Sequence, residues 1–142
     1  MPVLHTPAPD FTRPAVPSHR PIRLSAFRGK VVLLNFWATW CGPCLAEIPR
    51  LAKWQNRLGA QGLQVIGVSM DDEEADVVKW IQKLNLPYPI VMSDARLSLR
   101  YGGVLGLPMS FLIDRHGMLR QRFEGPLDAS LSKHRLPQLL QE

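Results

Sequence analysis

Two cysteines, the only ones in this 142-residue chain, stand three positions apart as Cys41 and Cys44. A disulfide between them closes too short a loop to remove much entropy from the unfolded chain, so it is better suited to being made and broken than to stabilising a fold. Thiols at this spacing can exchange: one thiolate attacks a disulfide, a mixed disulfide forms, and the second cysteine releases it. The pair predicts a redox-active disulfide, and no further cofactor is expected.

The elements around the pair give its two thiols different roles. Residues 31–37 form a near-continuous apolar run that predicts a strand buried on both faces, and residues 43–58 place apolar side chains at helical spacing. Cys41 therefore lies at a strand-to-helix junction, where free N–H groups and the positive end of the helix dipole favour a thiolate. We expect Cys41 to be the nucleophile and Cys44, inside the first turn, to be the resolving thiol.

The two residues between the cysteines fit the same junction. Pro43 suits the first helical position, because the N–H that proline lacks has no partner there. Gly42 has no side chain and so allows the backbone of a partner to come close. We therefore expect Gly42 and Pro43 to take part in substrate binding.

The remaining pattern predicts one α/β domain. Strands are expected over residues 63–69, 89–92, 110–114 and 118–124, and helices over residues 71–84, 95–101 and 128–140. The early strands alternate with helices and should be parallel, whereas the last two form an antiparallel hairpin, which makes the sheet mixed. Six prolines in residues 1–21 indicate an extended N-terminal arm, and residues 22–142 are assigned to the domain, beginning with a short edge strand at 21–24.

Composition and spacing disfavour several other classes of protein. The net charge is +5, but the basic residues are scattered rather than interleaved with aromatic residues, so no nucleic-acid partner is predicted. No apolar run approaches the roughly 20 residues that a transmembrane helix needs. Zinc takes about four ligands, and the chain offers neither a second Cys-x-x-Cys pair nor two histidines at ligand spacing, so no metal site is predicted.

Five segments of the sequence carry further motifs. They are the Ala-Pro-Asp-Phe run at 8–11, the stretch 24–37, the active-site run 36–44, the Cys-x-x-Glu-x-Pro run at 44–49 and the Gly-Leu-Pro segment at 106–114. These segments resemble the TlpA/ResA/CcmG-type thioredoxin-like reductases, and the resemblance extends over nearly the whole chain, from about residue 8 to residue 125. The resemblance implies a thioredoxin fold, in which a central mixed β-sheet is flanked by helices in a single domain.

The resemblance also implies further site residues. It places a cis peptide before Pro108, facing the cysteines, which leaves the backbone of Leu107 free to pair with a substrate chain. It makes Glu47 a buried acid that accepts or relays the proton of Cys44, with its pKa raised by burial. From spacing alone, Glu47 fits equally well as a surface residue. Trp40 is expected to shield the cysteines and to form part of the docking surface.

This chain departs from ordinary thioredoxins at several positions. They carry a buried aspartate where Asn35 stands, and because asparagine cannot take up a proton, that role would pass to Glu47. Met109 and Ser110 follow the proline where threonines are common, and Gly-Pro between the cysteines is the thioredoxin pair, which several members of this reductase group lack. The two residues after the proline and the two between the cysteines tune substrate choice and redox poise.

The favoured function is a protein thiol–disulfide oxidoreductase that reduces disulfides in partner proteins. The resemblance implies apocytochrome c or copper-site assembly proteins as partners, a thiol electron donor such as a membrane reductase, and a place outside the cytoplasm with the export segment outside this sequence. A monomer is expected. A cytoplasmic protein is the alternative. A peroxiredoxin-like peroxidase is disfavoured, because Ala38 and Leu34 stand where its signature places threonine or serine and proline. A non-catalytic metallochaperone or binding module remains the alternative from another class.

Overall fold

The computed structural model describes residues 2–142. Its helices and strands follow the predicted order, with one additional strand near the N-terminus. The strands are β1 (Thr12–Pro14), β2 (Pro21–Arg23), β3 (Val31–Trp37), β4 (Leu63–Ser69), β5 (Ile90–Met92), β6 (Met109–Ile113) and β7 (Leu119–Glu124). The α-helices are α1 (Gly42–Leu58), α2 (Glu74–Leu84), α3 (Ala95–Arg100) and α4 (Arg135–Leu140), and short 3₁₀ turns cover Leu24–Phe27, Gly59–Gln61 and Ala129–Ser132.

Strands β3 to β7 form one mixed sheet in the order β5-β4-β3-β6-β7. β3 is parallel to β4, and β4 is parallel to β5, whereas β6 is antiparallel to both β3 and β7. β3 lies in the middle of the sheet, and all seven of its residues are buried. This explains its uninterrupted apolar sequence, since a strand covered on both faces has no face left for polar residues.

Helices cover both faces of the sheet. On one face, alternate β3 residues such as Val31, Leu33 and Trp37 pack against apolar side chains of α1, α2 and α4. On the other, Val32, Leu34 and Phe36 pack with α3 and with the aromatic residues at its end and in β6. The predicted α/β architecture, a mixed sheet flanked by helices in a single domain, is confirmed.

The N-terminal segment packs along both edges of this sheet. The N–H of Ala8 donates to the carbonyl of Gly117 next to β7, and the N–H of Val16 donates to the carbonyl of Ile90 in β5. β1 pairs with β2 in a separate two-stranded sheet. The strand predicted at 21–24 is therefore not an edge strand of the main sheet. The division between arm and domain at residues 21 and 22 stays a prediction.

Two predicted helices have different bounds. The helix expected over residues 71–84 begins only at Glu74, because Asp71 turns inward and is buried. The helix expected over residues 128–140 is divided into the 3₁₀ turn Ala129–Ser132 and α4. Pro137 lies in the first turn of α4, where the missing N–H is tolerated, and not near its end. No helix within residues 2–142 is long and apolar enough to cross a bilayer.

Candidate active site

Cys41 and Cys44 are joined by a disulfide at the N-terminus of α1. Cys41 is the N-cap of the helix, and its Sγ accepts the backbone N–H of Cys44 at 3.2 Å. A backbone N–H of the first helical turn and the helix dipole thus both act on the Cys41 sulfur, as the strand-to-helix junction predicted. Cys41 is 7% exposed and Cys44 is 1% exposed. Of the two sulfurs, Cys41 is therefore the one that a partner can approach.

Cys41 opens onto a groove of about 430 Å³. The groove brings together Cys41 and four of the residues predicted to bind substrate, and it adds three apolar residues that the sequence analysis did not name. The four are Trp40, Gly42, Pro43 and Leu107, and the three are Met70, Val104 and Leu105. Trp40 is 71% exposed and Leu105 is 95% exposed, so two large apolar side chains stand at the rim of the groove.

Pro108 lies beside this groove and not on its lining. The peptide between Leu107 and Pro108 is cis, as the resemblance implied. Pro108 instead borders a neighbouring cavity that also includes Glu124 and Gly125. The N–H of Gly125 donates to the carbonyl of Pro108 at 2.9 Å, which fixes the end of this segment against the loop after β7.

Glu47 is buried in α1, one turn beyond Cys44, and is only 5% exposed. The side-chain amide of Asn35 donates to Glu47 Oε1 at 3.0 Å, and the backbone N–H of Leu127 donates to Oε2. Burial raises the pKa of Glu47 above its ordinary value, and the two N–H donors and the charge of Arg50 oppose that rise without cancelling it. The expectation of a buried acid with a raised pKa is confirmed, and the alternative of a surface glutamate is wrong.

Three contacts around Glu47 were not predicted from the sequence. The same amide group of Asn35 also donates to Ser110 Oγ at 3.0 Å. Arg50, one turn after Glu47, donates to the carbonyl of Leu127, so α1 holds both backbone groups of that residue. No sequence signal marked Leu127, because every residue except proline carries the same backbone N–H and C=O.

Asp71 was also misassigned from the sequence. The helix expected over residues 71–84 placed it in a first helical turn, but its carboxylate binds the active-site loop instead. There it accepts the backbone N–H and the hydroxyl of Thr39, and the hydroxyl of Ser69 at 2.7 Å. Its position in a run of four acids concealed this role, since the run resembles the acidic first turn of a helix. Within residues 2–142, no group of three or more His, Cys, Asp or Glu side chains is arranged to hold a metal ion.

Comparison with known proteins places this geometry in a family. The model of the AhpC/TSA family matches residues 4–122. The thiol:disulfide interchange protein DsbE of Pseudomonas aeruginosa is 35% identical over 139 residues, which is 96% of this chain and 74% of that protein. The thiol-disulfide oxidoreductase ResA of Geobacillus kaustophilus is 36% identical over 120 residues, which is 84% of this chain and 68% of that protein. The chain belongs to the AhpC/TSA family, among the DsbE- and ResA-type thiol–disulfide oxidoreductases.

A solved structure supports the same assignment. The crystal structure of a thiol:disulfide interchange protein of the thioredoxin family from Chlorobium tepidum matches with a TM-score of 0.87 and 27% identity, over 99% of both chains. The thioredoxin fold and the resemblance to this family are therefore confirmed. The chain is a thioredoxin-like oxidoreductase, and its homologues act in general on proteins that contain disulfides.

Proposed function

We propose that this chain is a reductase of disulfides in partner proteins and that Cys41 and Cys44 carry the reaction. The observation that carries the proposal is the disulfide at the start of α1, with one sulfur at the groove and the other sealed behind it. In the reduced protein, the Cys41 thiolate attacks one sulfur of the partner disulfide. The partner S–S bond breaks, a thiolate leaves on the partner, and a mixed disulfide forms.

Cys44 completes the reaction. Its thiolate attacks the Cys41 sulfur, closes the intramolecular disulfide and releases the second thiolate of the partner. Two electrons have then passed from the chain to the partner, and a thiol donor must reduce Cys41 and Cys44 again. Cys44 must lose its thiol proton before it attacks. Because Cys44 is buried, this step requires a proton acceptor inside the protein.

Glu47 is the group that we assign to that proton. It is buried one helical turn from Cys44, and its raised pKa makes it a better proton acceptor than an ordinary surface glutamate. Asn35, which stands where thioredoxins carry an acid, cannot take up a proton and instead donates to Glu47. In this account Glu47 accepts the Cys44 proton and releases it when the disulfide is reduced again.

The groove favours an extended apolar segment next to the partner disulfide. Its walls are mainly apolar, with Trp40 and Leu105 exposed at the rim. Within residues 2–142, the backbone N–H and C=O of Leu107 make no hydrogen bond to the rest of the chain. These two groups can therefore pair with the backbone of a bound segment in the manner of an added strand.

The pathway that we propose rests on the family. Apocytochrome c or copper-site assembly proteins outside the cytoplasm are the proposed partners, and a membrane thiol reductase is the proposed donor. The net charge of +5 favours acidic surfaces on these proteins. A monomer suffices for the chemistry, because both cysteines and Glu47 belong to one chain.

A disulfide-exchange assay tests the proposal. The protein is reduced, freed of reductant and mixed with insulin, and the loss of insulin disulfides is followed by thiol labelling. We expect one insulin disulfide to be reduced per Cys41–Cys44 disulfide formed, and none with Cys41→Ser. If wild type leaves insulin oxidised and forms no mixed disulfide with it, the reductase proposal is wrong. Binding of Zn²⁺ or Cu⁺ by the same sample would then favour the metallochaperone alternative.

A further inference from the structure

The loop that joins β3 to α1 carries the nucleophile, and it is held against the end of β4. The carbonyl of Trp37, the last residue of β3, accepts the N–H of Met70 at 2.8 Å. Further along the loop, the N–H of Cys41 donates to the carbonyl of Ala38 at 3.1 Å, which closes a tight turn around Thr39. Thr39 therefore lies inside the turn that presents Cys41.

Asp71 binds this turn from the neighbouring loop. Its carboxylate accepts the N–H of Thr39 at 3.0 Å, together with the Thr39 hydroxyl, and the Ser69 hydroxyl donates to it at 2.7 Å. The N–H of Asp71 in turn donates to Ser69 Oγ at 3.0 Å. Asp71 and Ser69 are both buried, and within the described part of the chain no basic side chain forms an ion pair with Asp71.

A buried carboxylate without a basic partner depends on its hydrogen-bond donors. Leaving such a group unsatisfied is costly, and hydrogen bonds to a charged acceptor are stronger than those between neutral groups. Three groups donate to the Asp71 carboxylate, and two of them, the backbone N–H and the hydroxyl, belong to the single residue Thr39. The arrangement therefore opposes any movement of Thr39 away from Asp71.

We propose that Asp71 is a positioning residue that fixes the turn of Cys41 for disulfide exchange by holding Thr39. Thr39 directly precedes Trp40 and Cys41, and Asp71 directly follows Met70. Trp40, Cys41 and Met70 all line the groove, so the bonds between Asp71 and Thr39 join the two loops that carry them. Asp71 itself does not line the groove. Its effect is to keep Cys41 aligned with the N-terminus of α1.

Matched substitutions separate this role from the loss of a charge. Asp71→Asn removes the charge and puts amide hydrogens where the carboxylate accepts bonds, whereas Asp72→Asn removes the same charge from the adjacent, exposed residue. Thr39→Val removes only the hydroxyl donor, whereas Thr39→Ser keeps it. Each variant is prepared reduced, and the second-order rate of Cys41 alkylation by iodoacetamide at pH 7 is measured beside insulin reduction and the Tm.

We expect Asp71→Asn and Thr39→Val each to slow both Cys41 alkylation and insulin reduction by about tenfold, because a misplacement of about 1 Å can cost about 100-fold and a smaller shift costs less. Asp72→Asn and Thr39→Ser should stay within about twofold of wild type. The double variant Asp71→Asn/Thr39→Val should be no slower than the slower single variant, because both changes break the same contact.

Other results overturn the proposal. If Asp71→Asn and Thr39→Val lower only the Tm and leave the rate of Cys41 alkylation at the wild-type value, the contact between Asp71 and Thr39 is structural and does not position the nucleophile. If Asp72→Asn slows alkylation as much as Asp71→Asn does, the effect comes from the lost negative charge and not from the hydrogen bonds to Thr39. Should Asp71→Asn fail to fold, the comparison of Thr39→Val with Thr39→Ser decides alone. Alkylation of Cys41 requires no disulfide partner, so this readout is independent of the direction of the reaction proposed above.

Discussion

Leu127 donates its backbone N–H to the carboxylate of Glu47, although 80 residues separate the two in sequence. The carbonyl of the same residue accepts a bond from Arg50, so two successive turns of α1 hold the loop after β7. Two residues earlier in that loop, Gly125 binds the carbonyl of Pro108. The acid assigned to the proton of Cys44 is therefore connected through one short loop to the cis-proline segment beside the groove.

The raised pKa of Glu47 predicts how stability changes with pH. The folded protein holds the proton of Glu47 more tightly than the unfolded chain does. At pH values between 4.5, the ordinary pKa, and the raised pKa, the folded state therefore binds more protons than the unfolded state. The contribution of Glu47 to the free energy of unfolding should therefore fall as pH rises through this window and become constant above it. Glu47→Gln should remove this fall, as measured by urea unfolding of the oxidised protein at a series of pH values.

The exposed residue Glu73 provides the control for that experiment. Glu73→Gln should retain the wild-type dependence of stability on pH in this window. In the reduced protein, Glu47→Gln should also change the pH dependence of Cys44 alkylation while leaving the fold intact. An unchanged profile for Cys44 would remove Glu47 from the proton transfer.

Asn35→Asp should make the protein less stable as pH rises. The change places a second carboxyl group beside the buried Glu47 and replaces the amide that donates to Glu47 Oε1 at 3.0 Å. Two carboxylates in one buried site cannot both ionise without a large cost, so one must stay protonated. We expect a loss of about 1–3 kcal/mol in the free energy of unfolding at pH 8 and a smaller loss at pH 5. A loss that is equal at both pH values would contradict this account of the pair.

The sequence was most informative where structure depends on neighbours in the chain. The strand at Val31–Trp37 could be predicted because a centrally placed strand requires apolar side chains on both faces. The pairing of Cys41 with Cys44 at the start of a helix could be predicted, because it depends on their spacing and on the helical pattern that follows Cys41. The strand at Leu63–Ser69 was predicted with its observed bounds for the same reason as the first.

The sequence was least informative where contacts cross the fold. Spacing alone could not place Glu47 inside or outside, because the burial of a helix face depends on what packs against it. Asp71 and Thr39 are 32 residues apart, and nothing local distinguishes Asp71 from the acidic residues that follow it. The strand β1 was missed because its three residues are held by pairing with β2 and not by a pattern of their own.

Cys44→Ser should trap mixed disulfides. Without the resolving thiol, the adduct between Cys41 and a partner has no internal route to release, so it should accumulate. Incubation with an oxidised protein substrate, followed by non-reducing electrophoresis and mass spectrometry, should show the adduct on Cys41. Cys41→Ser is the matched control and should form little adduct, because the remaining thiol is 1% exposed. Equal trapping by both variants would contradict the assigned roles.

Gly67→Ala should destabilise the fold. A Cβ at Gly67, in the middle of β4, would clash with Ile90 and come within 3.2 Å of Trp37 Nε1. We expect a loss of about 1–3 kcal/mol in the free energy of unfolding, the usual cost of overpacking a core. Gly106→Ala is the control, because a Cβ there meets no atom within 4 Å. If both variants unfold at the same urea concentration, the packing around Gly67 tolerates a Cβ and the prediction is wrong.

The central claim is that Cys41 and Cys44 form a reversible, reducing disulfide, and an equilibrium redox titration tests it most directly. The purified protein is equilibrated in buffers of defined thiol–disulfide ratio, and its free thiols are counted by labelling. The account predicts a single two-electron transition near the thioredoxin value of about −270 mV. A transition near about −120 mV would indicate a protein that forms disulfides instead of reducing them. The absence of any reversible transition would contradict redox chemistry at this pair.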